Sequence, residues 1–170
     1  MSTPARFRGL SLTLALCAAL GLGACSKDSD LADASGFGAG GPGGPARPGS
    51  AQDFVVNIGD RVFFESDSTD LTPTATATLD KQASWLQRYS RYSFLIEGHA
   101  DERGTREYNY SLGARRAQTV QDYLASRGIS ASRMRTVSYG KERPVAVCND
   151  ISCWSQNRRS VSVLDGGAGS

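Results

Sequence analysis

Residues 92–117 read YSFLIEGHADERGTREYNYSLGARRA, and their interpretation decides the fold. Tyr92 to Glu97 is a short β-favouring run and predicts a strand. DERG, residues 101–104, reads as a type I turn with Asp101 at its first position and Gly104 at its fourth, places that suit both residues. From about Glu107 the apolar spacing becomes that of a helix, predicted to run to about Arg127. Gly128 then stands where a glycine commonly ends a helix.

The flanking segments repeat the alternation. Arg61 to Glu65 (RVFFE) predicts a first strand, followed by the acidic polar loop ESDSTDLT. Thr72 reads as an N-cap with Pro73 in the first helical turn. The helix it starts is predicted to reach about Ser90, with Leu79, Ala83 and Leu86 as its apolar line. Met134 to Tyr139 and Ser160 to Leu164 predict two further strands, the last preceded by a turn of helix at Ser155 to Arg158. Strands alternating with helices of this length define the α/β class: a small mixed sheet with helices packed on one face, a βαβαβ-type sandwich.

Two adjacent arginines on the second helix cannot share a role. Successive residues advance about 100° around a helix, so with Leu112 at the origin Arg116 falls about 40° away. Tyr123, Val120 and Leu124 lie close to that direction. Arg116 therefore falls within the apolar arc and Arg115 outside it. A guanidinium on a buried arc keeps its charge and needs partners. The turn places Asp101 near enough to be one. This pair is either a structural tie between strand and helix or an open recognition site, with an acid for an ammonium group and a fork for a carboxylate. The residues by themselves leave both readings standing.

The ends of the chain carry different information. Arg6 and Arg8 precede an apolar run from Leu10 to Leu22, closed by Gly23 and Ala24. This is the pattern of an export signal over residues 1–24; a membrane-spanning anchor needs about 20 apolar residues. Leu22-Gly23-Ala24-Cys25 resembles the bacterial lipobox, in which the cysteine becomes the lipidated first residue. By the same resemblance, Ser26 in place of an aspartate implies sorting to the outer membrane. Residues 25–53 read as a lipidated N-terminus and tether. Gly36 to Gly49 (GFGAGGPGGPARPG) cannot bury enough apolar surface to offset its chain entropy. As a flexible coil of about 28 residues the tether spans on the order of 30 Å on average. The predicted domain covers residues 54–165, and residues 166–170 read as a disordered tail.

Of the 19 Lys and Arg, two lie in the signal, which leaves 17 against 17 Asp and Glu. That balance argues against a partner gripped by overall charge, such as nucleic acid. Cys148 and Cys153, spaced as CNDISC, predict a disulfide in an exported chain. Zinc needs four ligands, and His99 is the only histidine. It reads as a turn residue rather than a ligand.

GHADERGTREYNYSLGARRAQTVQDYL, residues 98–124, is similar to the signature of the outer membrane protein A-like (OmpA-like) peptidoglycan-binding domains. The likeness extends over about residues 54–164. The lipobox, the tether, VSYGKERP (137–144) and QNRRSV (156–161) resemble the lipoprotein members of that family that work in the Tol system. The resemblance implies non-covalent capture of the diaminopimelate side chain of the wall peptide. It assigns the ammonium to Asp101 and the carboxylate to Arg116, with Asp67 and Leu112 completing the pocket. The loop departs from the family pattern, since ESDSTD has neither the aromatic nor the lysine common there. The resemblance also implies Tol partners, the β-propeller protein (TolB) and the inner-membrane-linked protein (TolA). It implies a lipid-anchored place in the outer membrane, with the domain facing the periplasm, and a part in envelope integrity and constriction at division. No catalytic residue, metal or cofactor is expected. A wall hydrolase would need a metal or an activated nucleophile, or two carboxylates facing across a sugar cleft; Asp101 and Glu102 are neighbours in sequence. A purely structural scaffold is the remaining alternative.

Overall fold

The computed structural model describes residues 46–165. The expected signal 1–24, the lipidation site Cys25, the stretch up to residue 45 and the tail 166–170 lie outside the described residues.

Packed structure starts ahead of Phe54, within the stretch read as tether. Ser50 caps a short helical segment, α1 (Ala51–Asp53), which continues as a wider π-helical turn over Phe54–Gly59. The Asp53 carboxylate accepts hydrogen bonds from Trp85 Nε1, Gly49 N and Asn57 Nδ2, each at 2.8 Å. Phe54 is buried beside the Trp85 ring, with centroids 5.0 Å apart. Composition alone does not reveal this boundary, because the contacts that order the segment come from a helix far along the chain.

The remaining elements are β1 (Arg61–Phe63), α2 (Pro73–Arg88), β2 (Phe94–His99), α3 (Arg106–Ser126), β3 (Met134–Gly140), α4 (Ile151–Asn157) and β4 (Arg159–Leu164). Thr72 caps α2 through Oγ1, which accepts from Ala75 N at 3.1 Å, with Pro73 in the first turn. Thr105 caps α3 in the same way. The helix α4 is longer than the turn expected at Ser155–Arg158, because Asp150 caps it four residues earlier. The sheet order is β1-β4-β2-β3; β2 and β3 run parallel and the other pairs antiparallel, a mixed sheet. Phe94 and Ile96 of β2 are buried in one cluster with Leu79 and Leu86 of α2 and Val120 and Leu124 of α3. Full burial of such side chains is worth about 1.5–3 kcal/mol each.

One contact fixes the height of α3 above the sheet. A Cβ on Gly98 would sit 1.8 Å from the Gly113 carbonyl oxygen, and one on Gly113 2.5 Å from Ser138 Oγ. Only glycine on both sides permits that approach. Ser138 Oγ donates to the Tyr110 carbonyl at 2.6 Å and ties β3 to the same helix. Arg116 follows Gly113 by one turn and is held against the end of β2.

Candidate functional site

Arg116 is fully buried, and Arg115 beside it is exposed, in agreement with the helical wheel. Its guanidinium donates to three backbone carbonyls: Nε to Ser68 at 2.9 Å, Nη1 to His99 at 2.9 Å and Nη2 to Glu65 at 3.1 Å. The Phe64 ring lies 5.1 Å from its central carbon. Among the described residues no carboxylate is within ion-pair distance of it. Burial, then the charge of Arg158, lowers its pKa to about 10, against the opposing pull of Asp101 and Asp67. It is a cation at neutral pH. Five donors with three bonded leave two N–H groups for a ligand.

The direct pair expected between Asp101 and Arg116 is not formed. Asp101 is taken by other arginines. Arg103 grips it from Nε to Oδ1 at 3.1 Å and from Nη2 to Oδ2 at 2.6 Å, and its backbone N–H adds a bond of 3.2 Å to Oδ1. Arg158, buried, reaches Oδ2 from Nη1 at 3.4 Å. Burial raises the Asp101 pKa, but the bonds and charge of Arg103 and the bond from Arg158 outweigh it and hold the carboxyl below its ordinary range. Two backbone carbonyls of the loop after β1 and one at the end of β2 satisfy Arg116, and these have no side-chain signature in a sequence.

The two charges nevertheless face one recess of about 240 Å³. Leu112 and Asn109 line it from α3, and Asp67 from the loop after β1. All four residues expected at the site, Asp67, Asp101, Leu112 and Arg116, meet there. Asp67 has φ of 55°, a left-handed conformation that short polar residues tolerate. The Tyr108 hydroxyl donates to its carboxylate. Tyr108 of α3 thus lines the recess beside Asp67. A larger hollow of about 660 Å³ lies beside Tyr110 and Tyr139. Its ion pair, Arg106 to Glu142, is exposed and leaves no buried charge to satisfy.

Sequence reasoning missed Arg103, Arg158, Tyr108 and Asn109. Helical spacing could have found two of them, for residues 108, 109, 112 and 116 fall on one stripe of α3. Arg158 stands in QNRRSV without any local cue to its partner. His99 contributes its backbone carbonyl to the site. Its ring is buried elsewhere, with Nε2 3.3 Å from Glu97 Oε2 and Nδ1 unpartnered. Cys148 and Cys153 are joined in a disulfide with Cα atoms 5.7 Å apart, which ties the loop before α4 to that helix. Among the described residues no group of three or more His, Cys, Asp or Glu is placed to hold a metal, and no helix is long and apolar enough to cross a membrane.

A helix-covered mixed sheet with this recess at one end defines the class. A profile of the OmpA family matches residues 63–158, and the chain belongs to that family. Within it the chain sits among the peptidoglycan-associated lipoproteins. It is 62% identical to the protein of that name from Rhizobium meliloti (strain 1021), over 92% of this chain and 88% of the relative. The corresponding figures for the Agrobacterium fabrum protein of the same name are 59%, 92% and 88%. Among solved structures, the peptidoglycan-associated lipoprotein of Burkholderia pseudomallei is 36% identical with a TM-score of 0.64, covering 68% of this chain and all of that one. The C-terminal domain of Helicobacter pylori MotB, at 22% identity and a TM-score of 0.60, covers 64% of this chain and 86% of that one; it shares the fold. Neither the family description nor these names denote an enzyme.

Proposed function

We propose that the chain is an outer-membrane lipoprotein, held by lipid on Cys25, whose domain binds peptidoglycan non-covalently and tethers the membrane to the wall. The ligand group is the zwitterionic end of diaminopimelate. Its carboxylate pairs with Arg116, its ammonium with Asp101, its methylenes lie on Leu112, and Asp67 with Tyr108 closes the side of the recess. The observation that carries this reading is a buried guanidinium held by carbonyls alone. A cation in that state has its geometry fixed and no carboxylate paired directly with it, the condition in which a bidentate carboxylate binds best. The names of the relatives and the family match support peptidoglycan as the partner.

The Tol β-propeller protein and the inner-membrane-linked Tol protein are the proposed protein partners, and the proposed setting is envelope integrity and outer-membrane constriction during division. The test is calorimetric titration of the mature chain, in detergent, with a wall tripeptide ending in meso-diaminopimelate and with its lysine counterpart, which lacks the distal carboxylate. Binding of the first should exceed binding of the second by at least about tenfold, since a charge-assisted bond contributes about 1.5–3 kcal/mol. Equal binding of the two would exclude Arg116 as the carboxylate's partner.

A further inference from the structure

Asp101 has no free place for the ammonium that the proposed function assigns to it. Oδ1 accepts from Arg103 N and Nε, and Oδ2 from Arg103 Nη2 and Arg158 Nη1. A carboxylate offers about four acceptor positions. Any cation that enters must displace one of the two arginines.

They differ in how firmly they are held. The Arg158 side chain is only 5% exposed, and its Nε donates to the Phe64 carbonyl at 3.0 Å. The Arg103 side chain is 43% exposed and, among the described residues, bonds no backbone carbonyl. It is held by Asp101, by a 2.9 Å bond to Ser66 Oγ, and by the Trp154 ring, 4.2 Å from its central carbon. Trp154 in turn donates its indole N–H to Glu102.

We infer that Arg103 is a displaceable internal cation that occupies the ammonium position of the recess, latched there by Trp154 and Ser66. The inference rests on the proposed reading of the recess. Ligand ammonium replaces the Arg103 fork on Asp101 while Arg158 stays, so the site exchanges one cation for another. Arg103 thereby sets the affinity that any entering cation must reach. A monovalent amine must compete with the fork unaided, whereas a zwitterion gains its second contact at Arg116 and can displace it.

The structural part of Arg103 survives truncation. Its backbone N–H caps Asp101 and its carbonyl accepts from Asn109 Nδ2 at 2.7 Å, and both persist in Arg103→Ala. Calorimetry on the mature chain and on this variant, with the diaminopimelate and lysine tripeptides, tests the inference. Arg103→Ala should bind the diaminopimelate peptide about three- to fivefold more tightly, the span of a half-exposed ion pair. The lysine peptide should tighten by a similar factor, because both ammonium groups meet the same competitor on Asp101, and the preference between the two peptides should stay as it was. Arg103→Lys, a cation without the fork, should fall between the two. Weaker binding by Arg103→Ala, with binding by the unaltered chain intact, would make Arg103 a ligand contact and end the inference while leaving the proposed function standing. Unchanged affinity would also end it. Absence of binding by both proteins would remove the proposed site and this inference together.

Discussion

Arg116 and its neighbour Arg115 differ by one step along the helix and by complete burial, which makes them a sharp internal comparison. Arg116→Ala removes a charge at the proposed carboxylate position, a loss of about 2–5 kcal/mol in binding when the pair is desolvated. It also strips the donor from three backbone carbonyls, of which the His99 carbonyl is buried, at about 1–3 kcal/mol of stability for a group left dry. Sedimentation with purified peptidoglycan should therefore fail for Arg116→Ala and stay within about 1 kcal/mol of normal for Arg115→Ala. Thermal melting must accompany the assay. Loss of sedimentation by Arg115→Ala, with a folded Arg116→Ala still binding, would reverse the assignment. His99 carries a second residue-scale expectation. Its burial, then the charges of Arg159, Arg143 and Arg61, lower its pKa to about 4. The unfolded chain takes up this proton near pH 6.5, so between about 6.5 and 4 the unfolded state holds more protons and stability falls as pH falls. The contribution reaches at most about 3 kcal/mol by pH 4. Urea unfolding of His99→Gln across that window should show a shallower acid decline. An identical slope would place the titration elsewhere.

At the scale of elements, the seat of α3 on β2 is the contact on which the recess depends. Gly113→Ala drives a methyl group into Ser138 Oγ and the Gly98 carbonyl, 2.5 and 2.8 Å away. The helix must lift, and Arg116, one turn on, leaves the carbonyls it serves. Overpacking of this kind costs about 1–3 kcal/mol. Both the melting temperature and peptidoglycan binding should drop. Ala114→Ser, which adds one heavy atom at the exposed next position, should leave both intact. Retained binding by Gly113→Ala would mean that the helix yields without moving the site. The Gly98/Gly113 contact has no signal in periodicity, since it depends on which residues meet across two elements. Strands and helices themselves were legible to within about two residues at most ends, because Phe94, Ile96, Val120 and Leu124 follow the periods of strand and helix. The packed segment from Gly49 to Gly59 was legible only in part. It is ordered by Trp85 and Tyr92, whose bonds to Asp53 and Gly49 span 32 and 43 positions. The membership of the recess was readable from one helical face and one turn. Its wiring was not, for Arg103, Arg158 and three carbonyls compete for the same charges.

For the whole molecule the proposed function is a bridge, and a bridge has two ends that can be cut separately. The charges of the chain after residue 24 balance, and among the described residues no helix can cross a membrane. In the proposed bridge, outer-membrane association depends on Cys25 and wall association on the recess. An otherwise unaltered chain, exported by an ordinary cleavable signal in place of residues 1–25, should leave the membrane fraction and remain with peptidoglycan. Arg116→Ala in the lipidated chain should do the opposite. Each single cut leaves one attachment, and two linked attachments reinforce each other through effective concentration, so release into the soluble periplasm should exceed the sum of the single effects when both cuts are combined. Fractionation of the four strains, with lipid on Cys25 checked by mass spectrometry, reads all of this at once. Membrane association that survives the loss of Cys25 in the Arg116→Ala background would reveal a third attachment and refute the two-ended bridge.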